Sequence, residues 1–308
     1  MTEGLSLAGM TETPIVVVLG QRPGPAIGLP TRTEQGELEF AIDAGHGDYP
    51  KVVLSPGTIE EAFWLTVKAF NLADRYQLPA ILITDHHLAS SYFTTDKFDL
   101  SKIAIDRGEL FSKGNSTANS EYKRYQVTAS GISPRAFPMQ QEGVLVVADS
   151  DEHGEEGHII EDAETRNGMM RKRMNKLTAA RRDMTAPSVY GPSDAATTIV
   201  GWGSTCYAIR EAVDRLTRQG VSVNSVHFSE IWPFPVYNVV GILNKTRKIC
   251  VVESNASGQL AHLIQAETCL RVNDSILKYD GRPFAQWRAQ ELLRRRGWRD
   301  LHQGVDLV

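Results

Sequence analysis

The chain has 308 residues, 42% hydrophobic and 23% charged, a composition ordinary for a globular protein and a length that suits two cores. Its 33 basic and 37 acidic side chains leave a net charge of −4, which gives no global case for a nucleic-acid or anionic-membrane partner. No apolar run nears the ~20 residues of a bilayer span, and Met1-Thr2-Glu3 lacks the basic start of a secretory signal, so a cytoplasmic location is expected.

In chain order, residues 15–19 (IVVVL) read as a strand. The strand runs into residues 20–36, GQRPGPAIGLPTRTEQG, with four glycines, three prolines, Arg22 and Arg32. A rigid basic loop at the carboxyl end of a strand lies where open α/β sheets bind ligands. Each guanidinium can offer a planar fork to a carboxylate or phosphate; the alternative is a surface turn with two solvated arginines. Residues 51–55 read as a second strand. Residues 58–76 read as a helix whose face carries Ile59, Phe63, Thr66 or Val67, Phe70 and Ala73, opened by a Thr58/Glu61 capping box. Gln77-Leu78-Pro79 ends it and residues 80–84 form the next strand, completing a βαβ unit.

From Asp85 to about 143 the periodicity fades, through SSYFTT at 90–95 and GNSTAN at 114–119. So long an irregular stretch is expected to pack on another subunit. Residues 144–148 look like a strand. Residues 162–182 look like a charged helix with Met169, Met170, Met174 and Leu177 along one side and Arg171, Lys172, Arg173 and Lys176 as a solvated basic face. Residues 186–194, rich in Pro and Gly, suggest a linker. Beyond it come strand 197–202, helix 205–218, strands 221–228 and 248–253, helix 258–269, and a basic Arg294-Arg295-Arg296 tail. Cys206, Cys250 and Cys269 are far apart and read as small buried hydrophobes, not as a disulfide framework or cluster set.

Three other groups invite a functional reading. His46, in AGHGD, titrates near neutrality and suits a place near substrate or a structural loop equally. Asp149, Asp151, Glu152, His153, Glu155, Glu156 and His158 are dense enough for a cation but lack metal-site spacing, so a solvated acidic loop is favoured and no metal is expected. Gly201-Trp202-Gly203-Ser204-Thr205-Cys206, with Glu230 further on, goes partway to a dinucleotide fingerprint, but Cys206 replaces the third glycine and Trp202 would crowd a pyrophosphate.

Taken together, residues 20–36, AGHGD at 44–48, SPGTIEEAF at 55–63, EHGEEG at 152–157, GWGST at 201–205, IWP at 231–233, ESNASGQL at 253–260 and KYDGRPF at 278–284 resemble the alpha subunit of 2-oxoacid:ferredoxin oxidoreductases of the 2-oxoglutarate type. The resemblance implies an α/β fold: a pyrimidine-type thiamine-diphosphate domain over 1–187, lacking its opening strands and with an irregular insertion near 85–143, then a transketolase C-terminal-like α/β domain over 193–308. It implies oxidative decarboxylation of a 2-oxoacid to an acyl-CoA with electrons passed to ferredoxin. Arg32 would receive the substrate carboxylate, with Thr31 and Thr33 shaping the loop, and Gln21, Arg22, Gly24 and Gly28 would line the cofactor pocket. Thiamine diphosphate and Mg2+ would sit at the interface with a beta subunit, which would also carry a [4Fe–4S] cluster. Glu253 and Asn255 would belong to a subunit interface. The glutamate that a thiamine enzyme sets against the aminopyrimidine ring matches none of Glu3, Glu12 or Glu34, so no catalytic residue is assigned in this chain. The alternative expectation is an assembly module that does no chemistry.

Overall fold

The computed structural model describes residues 1–112, 122–139, 142 and 144–284. Helix α1 (Thr2–Met10) leads into strand β1 (Ile15–Gln21), and helix α2 (Leu38–Asp43) returns the chain to strand β2 (Val52–Leu54). Helix α3 (Ile59–Tyr76) and strand β3 (Pro79–Asp85) complete the βαβ unit. β1 and β2 both run parallel to β3, which lies between them.

The capping box forms at the start of α3. The Thr58 side chain accepts the Glu61 amide at 3.1 Å, while the Glu61 carboxylate reaches back to the Gly57 amide at 2.7 Å. The end is set by Gln77 in the left-handed region, φ 51°. The buried face differs from the expected one: Leu65, Ala69, Leu72, Ala73 and Tyr76 face the sheet, and Phe70 is exposed. A helix with apolar side chains on two flanks offers two readings of period 3.6, and Val52, Leu54, Ala80 and Leu82 of the sheet receive the flank of Leu65, Ala69 and Leu72.

Short helix α4 (His86–Ser90) follows β3. Between it and helix α5 (Ala163–Asp183) the described residues hold only a 3₁₀ turn at Leu100–Lys102 and isolated bridges. The strand expected at 144–148 does not form. The GNSTAN run and the Arg294–Arg296 triplet lie outside the described residues.

The second sheet has the order β4-β6-β5-β8-β9, from β4 (Ser188–Tyr190), β5 (Thr197–Trp202), β6 (Val223–Phe228), β8 (Lys248–Glu253) and β9 (Asp274–Leu277). It is parallel except for β4. The expected linker thus contributes an edge strand. Helices α6 (Thr205–Arg218), α7 (Val236–Leu243) and α8 (Gln259–Thr268) connect its strands. One strand crosses over: β7 (Glu230–Trp232) leaves the second half of the sequence and pairs antiparallel with β2 in the first sheet, giving the order β1-β3-β2-β7. One of three hydrophobic clusters among the described residues accordingly joins Ile81 and Ile83 of β3 to Val200, Trp202, Phe228, Ile231 and Leu260.

Of the basic face expected on α5, Arg171 is exposed as expected, but the other three cations are buried. Lys172, Arg173 and Lys176 are at most 1% exposed. Glu12, just before β1, meets Lys172 at 2.6 Å and Lys176 at 2.5 Å, and Glu152 grips Arg173 through two bonds of 2.9 and 2.6 Å. Burial alone would raise the Glu12 carboxyl, yet Lys176 and Lys172 hold it down to about 2. Burial in turn pulls Lys176 down to about 8, since one carboxylate serves two ammonium groups. Of the cysteines, Cys206 and Cys250 are buried as expected, but Cys269 is exposed, in the left-handed residue that ends α8.

Candidate functional site

The loop 22–36 leaves β1 at the carboxyl edge of the first sheet, where β3 also ends and α4 and α6 begin. Its front half, from Gly24 to Arg32, is exposed. The path there is local: the Leu29 amide bonds to the Pro23 carbonyl, and the Arg32 amide to that of Leu29. Gly28 makes that turn possible, because its φ is +50° and a Cβ there would lie 1.8 Å from the Pro23 oxygen. A Cβ on Gly24 would meet only the Ala26 nitrogen, at 4.0 Å. Arg22 and Arg32 are exposed, and neither has an ion-pair partner within contact distance among the described residues. Thr31 is exposed beside them.

Other predicted site residues are engaged in structure. Buried Gln21 donates to the Thr84 carbonyl at 3.4 Å and accepts the Glu37 amide at 3.0 Å. Thr33 donates to Asp85 at 3.1 Å and accepts the His87 amide at 3.1 Å, so its hydroxyl shapes the loop without presenting itself to a ligand. The two loop carboxyls, Glu34 and Glu37, both rise above the usual range through burial. Glu37 adds to the rise at Glu34, and Arg22 opposes it at Glu37.

Asp85, not among the expected site residues, is the hub of this edge. Only 1% exposed, it caps α4 through the Leu88 amide at 3.1 Å, meets the Ser204 amide at the start of α6 at 3.3 Å, and holds Thr33. Two helix N-termini stabilise the carboxylate. An Asp at a strand end directly before a short polar helix was the available signal. The same contacts close the dinucleotide-like turn: a Cβ on Gly203 would lie 2.6 Å from Gln35 and 3.6 Å from Asp85, so protein groups fill the space a pyrophosphate would need. Glu230 pairs with Lys68 at 2.7 Å.

His46 is not brought to this edge. It lies in the loop before β2, its amide bonded to Ser6 of α1 at 2.6 Å, at the amino edge of the sheet. That is roughly 20 Å, one seven-residue strand, from the arginine loop. The acidic and histidine cluster divides likewise. Glu152 binds Arg166 and Arg173, Glu155 and Glu156 bind Lys123, and buried His153 packs on Tyr125 with ring centres 3.9 Å apart and planes tilted by 41°. No group of three or more potential metal ligands occurs among the described residues. The segment is an ion-paired brace for α5, where a solvated loop was expected.

Glu253 and Asn255 also lie inside this chain. Glu253 accepts the Leu260 and Ala261 backbone amides at the start of α8, the Trp202 indole and the Asn255 side-chain Nδ2. Burial raises its carboxyl despite those four donors. Asn255 donates to the Gln35 carbonyl at 3.1 Å. These residues form the joint between the arginine loop and the second sheet.

The residues present fit the outer wall of a thiamine diphosphate site: exposed glycine backbone, two cations and a hydroxyl at a strand's carboxyl edge. The acids fit less well, because Glu12 and Asp85 are fully engaged elsewhere. No described helix is long and apolar enough to cross a membrane.

Residues 1–172 match the family described as pyruvate flavodoxin/ferredoxin oxidoreductase, thiamine diphosphate-binding, and residues 195–286 match core domain II of pyruvate:ferredoxin oxidoreductase. A solved 2-oxoglutarate:ferredoxin oxidoreductase from Magnetococcus marinus, with 2-oxoglutarate, coenzyme A and succinyl-CoA bound, superposes with a TM-score of 0.88. It is 34% identical, over 96% of this chain and 50% of that one. The alpha subunit of 2-oxoacid:ferredoxin oxidoreductase 1 from Sulfurisphaera tokodaii is 39% identical over 95% of this chain and 46% of its own length. The 2-oxoglutarate synthase subunit KorA of Methanothermobacter marburgensis is 28% identical over 86% of this chain and 68% of its own length. The chain thus spans about half the length of the first two. With more than half of its residues matched by the thiamine diphosphate-binding family and core domain II following in order, the chain belongs to the pyruvate flavodoxin/ferredoxin oxidoreductase family and is of the alpha-subunit type.

Proposed function

We propose that this chain serves as the alpha side of a thiamine-diphosphate-dependent 2-oxoacid:ferredoxin oxidoreductase acting on 2-oxoglutarate. The reaction converts 2-oxoacid, coenzyme A and two oxidised ferredoxins into acyl-CoA, carbon dioxide, two reduced ferredoxins and a proton. The observation that carries the reading is the exposed pair Arg22 and Arg32 on a rigid loop at the carboxyl edge of β1, without ion-pair partners among the described residues. A 2-oxoglutarate-bound relative and the KorA relatives support the choice of substrate. The matched ranges fall either side of residues 187–193, which supports a division into domains at 1–187 and 193–308.

In this reading Arg32 takes the substrate carboxylate through two parallel bonds, and Arg22 adds a second positive charge at the same edge. Thr31 and Thr33 shape the loop, while Gln21, Gly24 and Gly28 build the wall toward the cofactor. When bound, thiamine diphosphate supplies a nucleophilic carbon and a sink for the electrons released by decarboxylation. This chain orients the acid so that its keto carbon meets that nucleophile, which lowers the barrier by positioning. A beta subunit brings the diphosphate-and-Mg2+ half and the [4Fe–4S] cluster.

The test is anaerobic turnover of the chain purified with its native partner, in the presence of thiamine diphosphate, Mg2+ and coenzyme A. Reduction of ferredoxin that depends on 2-oxoglutarate is expected. Arg32→Ala should raise KM for the 2-oxoacid at least tenfold, roughly the cost of a lost charge-assisted bond, while leaving assembly intact. A fully assembled complex inert toward every 2-oxoacid would leave only the assembly role.

A further inference from the structure

The loop that carries the arginines is asymmetric. Its front half makes local bonds, whereas its back half is bound at almost every step to residues 202–281, within the region that matches core domain II. The Thr33 amide bonds to the Gly281 carbonyl at 3.3 Å, and the Gln35 amide to the Ser254 carbonyl at 2.7 Å. The buried Gln35 side chain uses both ends: Nε2 donates to the Trp202 carbonyl at 2.7 Å and Oε1 accepts the Ser254 amide at 3.0 Å. Gln259 mirrors it from the other side, donating to the Gly36 carbonyl at 2.8 Å and accepting the Leu38 and Glu39 amides at 2.8 and 3.2 Å. Arg32 stands immediately before this fastened segment. Its stem packs on Gly281, where an added Cβ would come within 3.1 Å of the Arg32 Cβ.

We infer that Gln35 and Gln259 are positioning residues for the substrate carboxylate: together they make the second sheet the fixed frame against which Arg32 is aimed. The inference rests on the proposed role of Arg32 and adds the device that sets it. Two amide side chains suit this task, because each satisfies donor and acceptor backbone groups in one buried contact and needs no charge. Replacing either by Glu keeps the acceptor and the shape but places a carboxylate oxygen against a carbonyl, so the loop must shift away from its frame. Shifts near 1 Å at a positioning group are enough to change kinetics by one to two orders of magnitude.

The test is a double-mutant cycle on the assembled complex, with KM for 2-oxoglutarate and for coenzyme A measured in wild type, Gln35→Glu, Arg32→Ala and the double variant. Gln35→Glu is expected to raise KM for 2-oxoglutarate on the order of tenfold, with KM for coenzyme A unchanged, and to add nothing in the Arg32→Ala background. Gln259→Glu, which keeps its bonds to the α2 amides, undergoes the same cycle if Gln35→Glu fails to assemble. An equal KM rise with and without Arg32, or no rise in either glutamine variant, overturns the inference. The Arg32→Ala variant alone reads the underlying assignment: a normal KM there removes the substrate role itself.

Discussion

Two sets of cations, alike as residues, meet opposite fates in this chain. Lys172, Arg173 and Lys176 of α5 are buried and paired with Glu12 and Glu152, whereas Arg22 and Arg32 of the loop after β1 stand exposed. The buried set fastens α5 to the start of the first sheet, and its charges are consumed in doing so. The exposed set keeps its charge available to an incoming anion. The local sequence of a charge run does not distinguish these fates; the positions of the acids do.

The largest expected effect breaks the buried side. Glu12→Gln leaves two ammonium groups without their carboxylate and should cost about 3–5 kcal/mol in urea denaturation; a loss under about 1 kcal/mol would mean that packing, not pairing, holds α5. Glu152→Gln removes the two-bonded partner of Arg173 in a less enclosed place, with an expected loss of about 2 kcal/mol. On the exposed side the pattern should invert: Arg22→Ala and Arg32→Ala should leave stability within about 0.5 kcal/mol of wild type while raising KM. An unfolded Arg32→Ala variant would erase the contrast.

The remaining test is in pH. The Glu12 carboxyl is held from 4.5 down to about 2, so its stabilisation is present above 4.5 and lost as pH falls toward 2. Glu12→Gln should flatten the stability curve in that window. His227, buried on β6 and 3.7 Å from Glu61 of α3, behaves oppositely. Burial lowers its pKa, but Cys206 and Glu61 outweigh that and raise it to about 9. Its contribution should be complete below 6.5 and lost as pH climbs through 9, a slope that His227→Gln should abolish.

Much of the framework was legible in the sequence because its signals are local. Helix α6 and strands β5 and β8 coincide with their expected bounds, and α3 starts at its capping box. The arginine loop announced itself through glycine, proline and its place after a strand. What stayed hidden depends on distant partners. Glu12 lies 160 residues from Lys172, Gln35 some 219 from Ser254, and β7 is only three residues long, so no window of sequence shows which sheet it joins. The buried face of α3 is hidden for a related reason, since the surface that receives a helix decides which apolar flank turns inward.

That short strand has a consequence for anyone recombining members of this family. A chimera joined in the 186–194 segment would take its first sheet from one parent and the outermost strand of that sheet, Glu230–Trp232, from the other. Glu230 also carries the Lys68 and Thr185 contacts back to the N-terminal half. Exchangeable modules in this chain therefore do not follow the order of the polypeptide. A graft that respects the fold must move residues 230–232 together with the first 187.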